Sequence, residues 1–266
     1  MDKLTLRVVL STVMFSLSFS ALLSAQESSE MNEQWPLPTA EEIMEHMDTL
    51  YRATSSHSTM EMQVVTEHWS RALEIEGWSR GEDEALMIIR SPAREAGTAT
   101  LRTPDGLWNY APRADRLMRI PSGMLSESWM GSHLTNDDLM RQSEYDDDYE
   151  TVLSRSDCQG EPCILAVMTP HPDAPVVYSE VTMAFTREQW IPLYSEYFDG
   201  AERVRRWEFS NVQVIEGRPI PMSMLLIPDE NPEERTQLTY TALAFDIELD
   251  DGLFTQRGLR RAAQAR

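Results

Sequence analysis

The sequence predicts a mainly β protein: one strongly curved antiparallel sheet with a few helices packed on one side. Two observations carry this. Apolar and polar residues alternate with period two in roughly a dozen segments, with turn residues about every 8–14 positions. No strand–helix–strand spacing of the parallel kind occurs, and no internal repeat.

Taken in order, the chain opens with Lys3 and Arg7, an apolar run from Val8 to Leu23, and the small residues Ser24 and Ala25. That is the pattern of a secretory signal over residues 1–25, cleaved near Ala25. The alternative is an uncleaved anchor, although Ser11, Ser16, Ser18 and Ser20 interrupt the run. Residues 26–38 read as a linker ending in Trp35-Pro36-Leu37-Pro38. Thr39 and Glu42 have capping-box spacing and open a helix whose Ile43, Met47, Leu50 and Tyr51 share a face; it is expected to end near Thr54.

From Ser58 the period becomes two, and strands are expected around 60–65, 73–77, 86–89, 99–102, 107–110 and 116–120. Residues 121–145 break the rhythm, apart from a short capped helix at Thr135–Arg141 with Asp137 and Asp138 in its first turn. Strands resume over 149–155, 164–169, 176–186, 190–198, 203–215, 220–227 and 237–247, and a short helix or turn is expected at Gly252–Leu259. The domain is placed at 39–260, with 261–266 as a tail. Cys158 and Cys163 flank Gln-Gly-Glu-Pro between two strand patterns, which suits a disulfide at a hairpin tip in an oxidising compartment.

Charge excludes partners. The chain has 23 basic and 44 acidic residues, a net charge of -21, which argues against nucleic acid and against docking on an anionic membrane by overall charge. Without residues 1–25 the balance is 21 to 43, or -22. Enzymatic motifs are missing: there is no nucleophile elbow, phosphate loop or HExxH, and His46, His57, His68, His133 and His171 lack metal-ligand spacing. The acidic run Glu144, Asp146, Asp147, Asp148 lacks the spaced ligands of a calcium loop. No catalytic activity, cofactor or metal is expected. A transmembrane barrel also has many alternating strands, but the Glu and Gln on the outward faces suit water. The 16 methionines, about 6% of the chain, suit either core filling or an adaptable apolar pocket.

Three stretches carry a family resemblance. The first is Arg116-Leu117-Met118-Arg119-Ile120-Pro121 followed by Ser128-Trp129-Met130-Gly131-Ser132-His133-Leu134-Thr135-Asn136-Asp137-Asp138-Leu139. The second is Trp190-Ile191-Pro192-Leu193-Tyr194-Ser195-Glu196-Tyr197-Phe198-Asp199. The third runs from Ile215-Glu216-Gly217-Arg218-Pro219-Ile220-Pro221 to Phe245-Asp246 and Asp250-Asp251-Gly252-Leu253-Phe254-Thr255. In this order they resemble the outer membrane lipoprotein-sorting protein family, relatives of the periplasmic carrier LolA, and span most of 39–260. His133 departs from the pattern, standing where the family usually shows Asp.

The resemblance implies an incomplete antiparallel β-barrel of about eleven strands with a helical lid, as in LolA and LolB. It also implies a periplasmic carrier that takes acylated lipoprotein or lipid cargo from an inner-membrane transporter towards an outer-membrane acceptor. The alternative is a sensor on the same fold that binds a lipid-like signal, as RseB-like proteins do. Each buried methylene contributes about 0.8 kcal/mol, so such a carrier needs a lid with a second state to release its cargo. The helix at 39–54 and the loop at 121–141 are the lid candidates. Trp129, Met130 and Leu134 are candidates for the cavity mouth. Met62, Val64, Leu73, Ile75, Val181, Met183, Phe185, Met222 and Met224 are candidates for its wall. Asp137 and Asp138 are expected to cap the short helix.

Overall fold

The computed structural model describes residues 35–51, 53–140, 148–174 and 176–265. The chain divides into two units, 1–37 and 38–266. The first contributes only 35–37 to the described residues, without regular structure, so the signal and most of the linker lie outside them. The acidic run at 144–147 and Arg141 lie outside them too.

In the second unit, helix α1 (Ala40–Leu50) begins with the expected capping box. Thr39 Oγ1 accepts from the Glu42 N–H at 3.2 Å and the Glu42 carboxylate accepts from the Thr39 N–H at 2.7 Å. The helix stops four residues before Thr54. Strands β1 (Ser55–Val65), β2 (Ser70–Arg80), β3 (Glu84–Ser91), β4 (Ala99–Thr103), β5 (Gly106–Ala111) and β6 (Arg116–Arg119) follow as an antiparallel meander. Helix α2 (Asn136–Met140) lies in the connection to a second meander: β7 (Tyr149–Cys158), β8 (Glu161–Pro170), β9 (Glu180–Thr186), β10 (Pro192–Asp199), β11 (Glu202–Ile215), β12 (Arg218–Pro228) and β13 (Arg235–Phe245). Helix α3 (Gln256–Gln264) closes the chain and takes in residues 261–264, which read from sequence as a tail.

The two meanders join through β1 and β13, giving one thirteen-stranded sheet with β6 at one edge and β7 at the other. The strands therefore number thirteen rather than about eleven. The sheet is open, because β6 and β7 do not pair with each other, so it lacks the edge-free wall that a spanning barrel requires. Among the described residues no helix is long and apolar enough to cross a membrane.

One ladder of directly opposed residues fixes the faces. It runs Leu153, Ala166, Met183, Ser195, Trp207, Leu226, Thr236, Val64 and Arg71 across nine strands. This inner face carries α1 and the β6–β7 connection. The helices do not all sit on one side, however. Leu86, Ile88, Ala99, Leu101 and Tyr110 point outward and pack against Phe254 and Leu259, so α3 covers the outer face. The reason is in the dense run Leu86-Met87-Ile88-Ile89. It is apolar on both faces, so each face needs a cover. The tight seat of α3 depends on Gly258, where a Cβ would stand 2.0 Å from the Gly252 carbonyl oxygen.

β9 begins at Glu180, four residues later than expected. Val177 does not join the apolar face of that strand and is exposed. Cys158 and Cys163 are joined by a disulfide that closes the β7–β8 hairpin, and both are buried beside Ala184.

Candidate functional site

The inner face encloses a cavity of about 190 Å³. The sheet supplies Met183, Trp207, Phe209, Met224, Leu238 and Tyr240 to its wall. The helix α1 and the residue after it supply Met47, Asp48 and Tyr51, and the β6–β7 connection supplies Leu134, Asp137, Asp138 and Asp148. Tyr149, Tyr178, Tyr197 and Arg205 complete it. Seven aromatic residues and three methionines make most of the lining apolar; Asp48, Asp137, Asp138, Asp148 and Arg205 are its charged members, and of these Asp138 and Arg205 pair directly.

The Asp138–Arg205 corner is built for one geometry. Arg205 Nη1 and Nη2 donate to Asp138 Oδ2 and Oδ1 at 2.8 and 2.5 Å, a bidentate pair with side-chain exposures of 7% and 16%. The guanidinium lies 4.7 Å from the Tyr178 ring centroid and 4.4 Å from that of Tyr197. Burial works against the Arg205 charge, but the Asp138 carboxylate outweighs it and holds the cation well above its ordinary range. Burial likewise pushes the Tyr178 phenol up, so it stays neutral. Asp138 also completes a capping box with Thr135, accepting from the Thr135 N–H at 2.7 Å while its own N–H donates to Thr135 Oγ1 at 3.2 Å.

The rest of the connection is pinned along the inner face. The Trp129 indole N–H donates to Thr100 Oγ1 at 3.0 Å, Arg71 donates to the Met130 carbonyl, and Arg102 donates to the Leu139 carbonyl. His133, the departure from the family pattern, is held between Thr236 Oγ1 at 2.9 Å and Glu234 Oε2 at 3.1 Å. The Glu67 N–H and His133 together hold the Glu234 carboxyl below its usual range.

The sequence candidates divide as follows. All nine wall candidates share the inner face by register. Met183 and Met224 line the cavity; Met62, Val64, Leu73, Ile75, Val181, Phe185 and Met222 are buried and do not. Of the mouth candidates, Leu134 lines it, while Trp129 and Met130 lie over β4 and β2 instead. Arg205, Tyr178 and Tyr197 were not singled out from sequence. Ser195 does not line the cavity; its hydroxyl is buried between Met183 and Trp207 on the ladder without a hydrogen-bond partner among the described residues. Among the described residues no three His, Cys, Asp or Glu side chains gather as metal ligands.

A family model described as an uncharacterized protein matches residues 81–261, and no curated protein sequence matches the chain. Solved structures share the fold. A DUF1329 family protein from Desulfovibrio piger has a TM-score of 0.74 at 22% identity, covering 82% of this chain and 96% of that one. An outer membrane lipoprotein-sorting protein domain from Vibrio parahaemolyticus has 0.71 at 22%, covering 83% and 97%. A LolA superfamily protein from Nitrosomonas europaea has 0.70 at 21%, covering 83% and 99%.

Proposed function

The chain belongs to the family whose model, described as an uncharacterized protein, matches residues 81–261, and it shares the fold of LolA superfamily structures; on that footing we propose that it is an exported carrier of acyl chains. Its cargo is a lipid or an acylated lipoprotein, received from an inner-membrane transporter and handed towards the outer membrane. The signal read at residues 1–25 supports the export.

The observation that carries the proposal is the apolar cavity between α1 and the inner face. Methionine and aromatic side chains there suit a flexible hydrocarbon guest. At about 190 Å³ the cavity is below the roughly 300–1,000 Å³ of typical ligand pockets. A whole acyl chain therefore enters only if a cover moves. We take α1 as that lid, because the ring and methionine contacts that hold it are the kind an acyl chain replaces in kind.

Binding of a fluorescent fatty-acid probe to the mature protein tests this. Met224→Trp fills the wall and displaces at least two methylenes' worth of guest, about 1.6 kcal/mol, so affinity should fall more than about tenfold. No probe binding by the parent protein, or unchanged binding in folded Met224→Trp and Met183→Trp variants, would overturn the proposal.

A further inference from the structure

We propose that the β6 edge of the sheet is a docking surface for an anionic phospholipid bilayer. The chain as a whole is strongly acidic, yet its charge is not evenly spread. Between the exposed carboxylates Asp105 and Glu127 there are three arginines, Arg113, Arg116 and Arg119, and one further carboxylate, Asp115. Asp115 faces Arg260 at 3.5 Å and accepts from the Tyr110 hydroxyl at 3.0 Å.

In a chain with 44 acidic and 23 basic residues, most of the described arginines have a carboxylate beside them, though Arg235 and Arg257 do not. Arg71, Arg80, Arg90, Arg94, Arg203 and Arg205 each have one. Arg113 and Arg116 have no ion pair or hydrogen bond of their side chains among the described residues, and both are exposed. Arg119 is exposed as well. It donates to the Asp105 carbonyl and lies 5.9 Å from the Trp108 ring centroid, and its side chain has no ion pair among the described residues.

By register Arg116 and Met118 lie on the inner side of β6 beside Ala111 and Asn109, and Leu117 and Arg119 on the outer side beside Tyr110 and Trp108, so the edge carries cations and apolar groups on both of its sides. Met118 on β6 is 40% exposed, and Met124 in the following turn is 46% exposed. Leu117, Ile120 and Leu125 between them are half-buried, and the next carboxylate after Asp115 is Glu127. Exposed apolar side chains set among unpaired cations match the boundary of an anionic bilayer, where the headgroups take the charge and the acyl region takes the methionines. Charge complementarity is local here and opposes the sign of the whole molecule. High salt should therefore weaken the contact sharply. The edge stands apart from the cavity, so docking does not depend on the cargo reading: a protein that binds no acyl chain could still dock.

The test is co-sedimentation of the mature protein with vesicles of phosphatidylethanolamine and phosphatidylglycerol, against vesicles of phosphatidylcholine alone. Binding is expected to the anionic vesicles only, and to be lost at high salt. Arg113→Gln/Arg116→Gln touches two exposed, unpartnered side chains, so folding should be unaffected, as a thermal melt checks. Each arginine removed should lower partitioning roughly fivefold. Met118→Ser/Met124→Ser should weaken it at every salt concentration. The inference fails if the parent protein ignores anionic vesicles, or if it binds both vesicle types alike and the arginine variant changes nothing. It fails too if the arginine variant self-associates while the parent shows no vesicle binding; that would make the arginines guards of an open sheet edge. Fatty-acid probe binding, measured on the same samples, reports on the cavity separately.

Discussion

Two covers lie over the inner face, and different chemistry holds them. The β6–β7 connection is pinned by directional polar contacts: the buried Asp138–Arg205 pair, the Trp129–Thr100 bond, and His133 between Thr236 and Glu234. The helix α1 is held by packing together with polar contacts of His46, Asp48 and Tyr51. Leu50 sits among Ile220, Met222 and Phe245, and His46 meets the Trp190 ring edge-on at 5.8 Å. Tyr51, just beyond the helix, stacks on Tyr240 at 5.3 Å and donates to the Pro221 carbonyl at 2.7 Å. Hydrocarbon can stand in for packing contacts. It cannot stand in for a bidentate ion pair, whose partner would be left buried and charged. On the proposed carrier reading, the connection is the frame and α1 the lid.

The largest expected effect breaks the frame. Asp138→Ala strands the Arg205 cation in a site it shares with two tyrosines, and should cost about 3–5 kcal/mol of unfolding free energy. Chemical denaturation measures it; a loss under about 1 kcal/mol would mean the pair behaves as a surface contact. Leu50→Ala loosens the lid instead. It should cost about 2–3 kcal/mol while raising the rate at which a fatty-acid probe enters. A slower entry would refute α1 as the gate. Trp129→Phe keeps the bulk and removes the bond to Thr100, for about 1 kcal/mol, with probe affinity unchanged because that ring lies off the cavity. Thr39→Ala removes the lid's cap, again about 1 kcal/mol, and should speed probe entry less than Leu50→Ala does.

The smallest effect is one of pH. Glu234 has a depressed carboxyl pKa in the folded protein, so its contribution is present above the ordinary carboxylate range. It is lost as pH falls through the folded value, which lies below the ordinary carboxylate range. In Glu234→Gln the melting temperature should fall less steeply over that acid limb than in the parent, while the two curves run parallel at higher pH. Identical acid limbs would remove Glu234 from the tether.

Much of this frame was legible in the sequence, for a physical reason. Alternation reports which side of a strand meets an apolar surface, and it placed Met62, Val181 and Met224 on one face although they lie far apart in the chain. It cannot say whether that surface is solid core or the wall of a space. Val181 and Met183 are two residues apart with the same pattern, yet only Met183 reaches the cavity. The β3 run, apolar on both faces, implied a second cover that was not drawn from it. The Arg205 pair left no local signature. Its partner lies 67 residues away, and Arg203-Val204-Arg205-Arg206 looks like exposed surface charge until the tyrosines close around it. Sequence marks His133 only as a departure; its tether depends on Thr236 and Glu234, about a hundred residues away.

The central claim is that an acyl chain occupies the space beneath α1. Mass spectrometry of the mature protein, purified from its native exported compartment without detergent and extracted with organic solvent, tests it most directly. The account predicts a stoichiometric acyl lipid or acylated protein, absent from a Met224→Trp preparation handled in parallel. Protein that repeatedly emerges empty, or one that yields the same acyl species with the cavity filled, would contradict it.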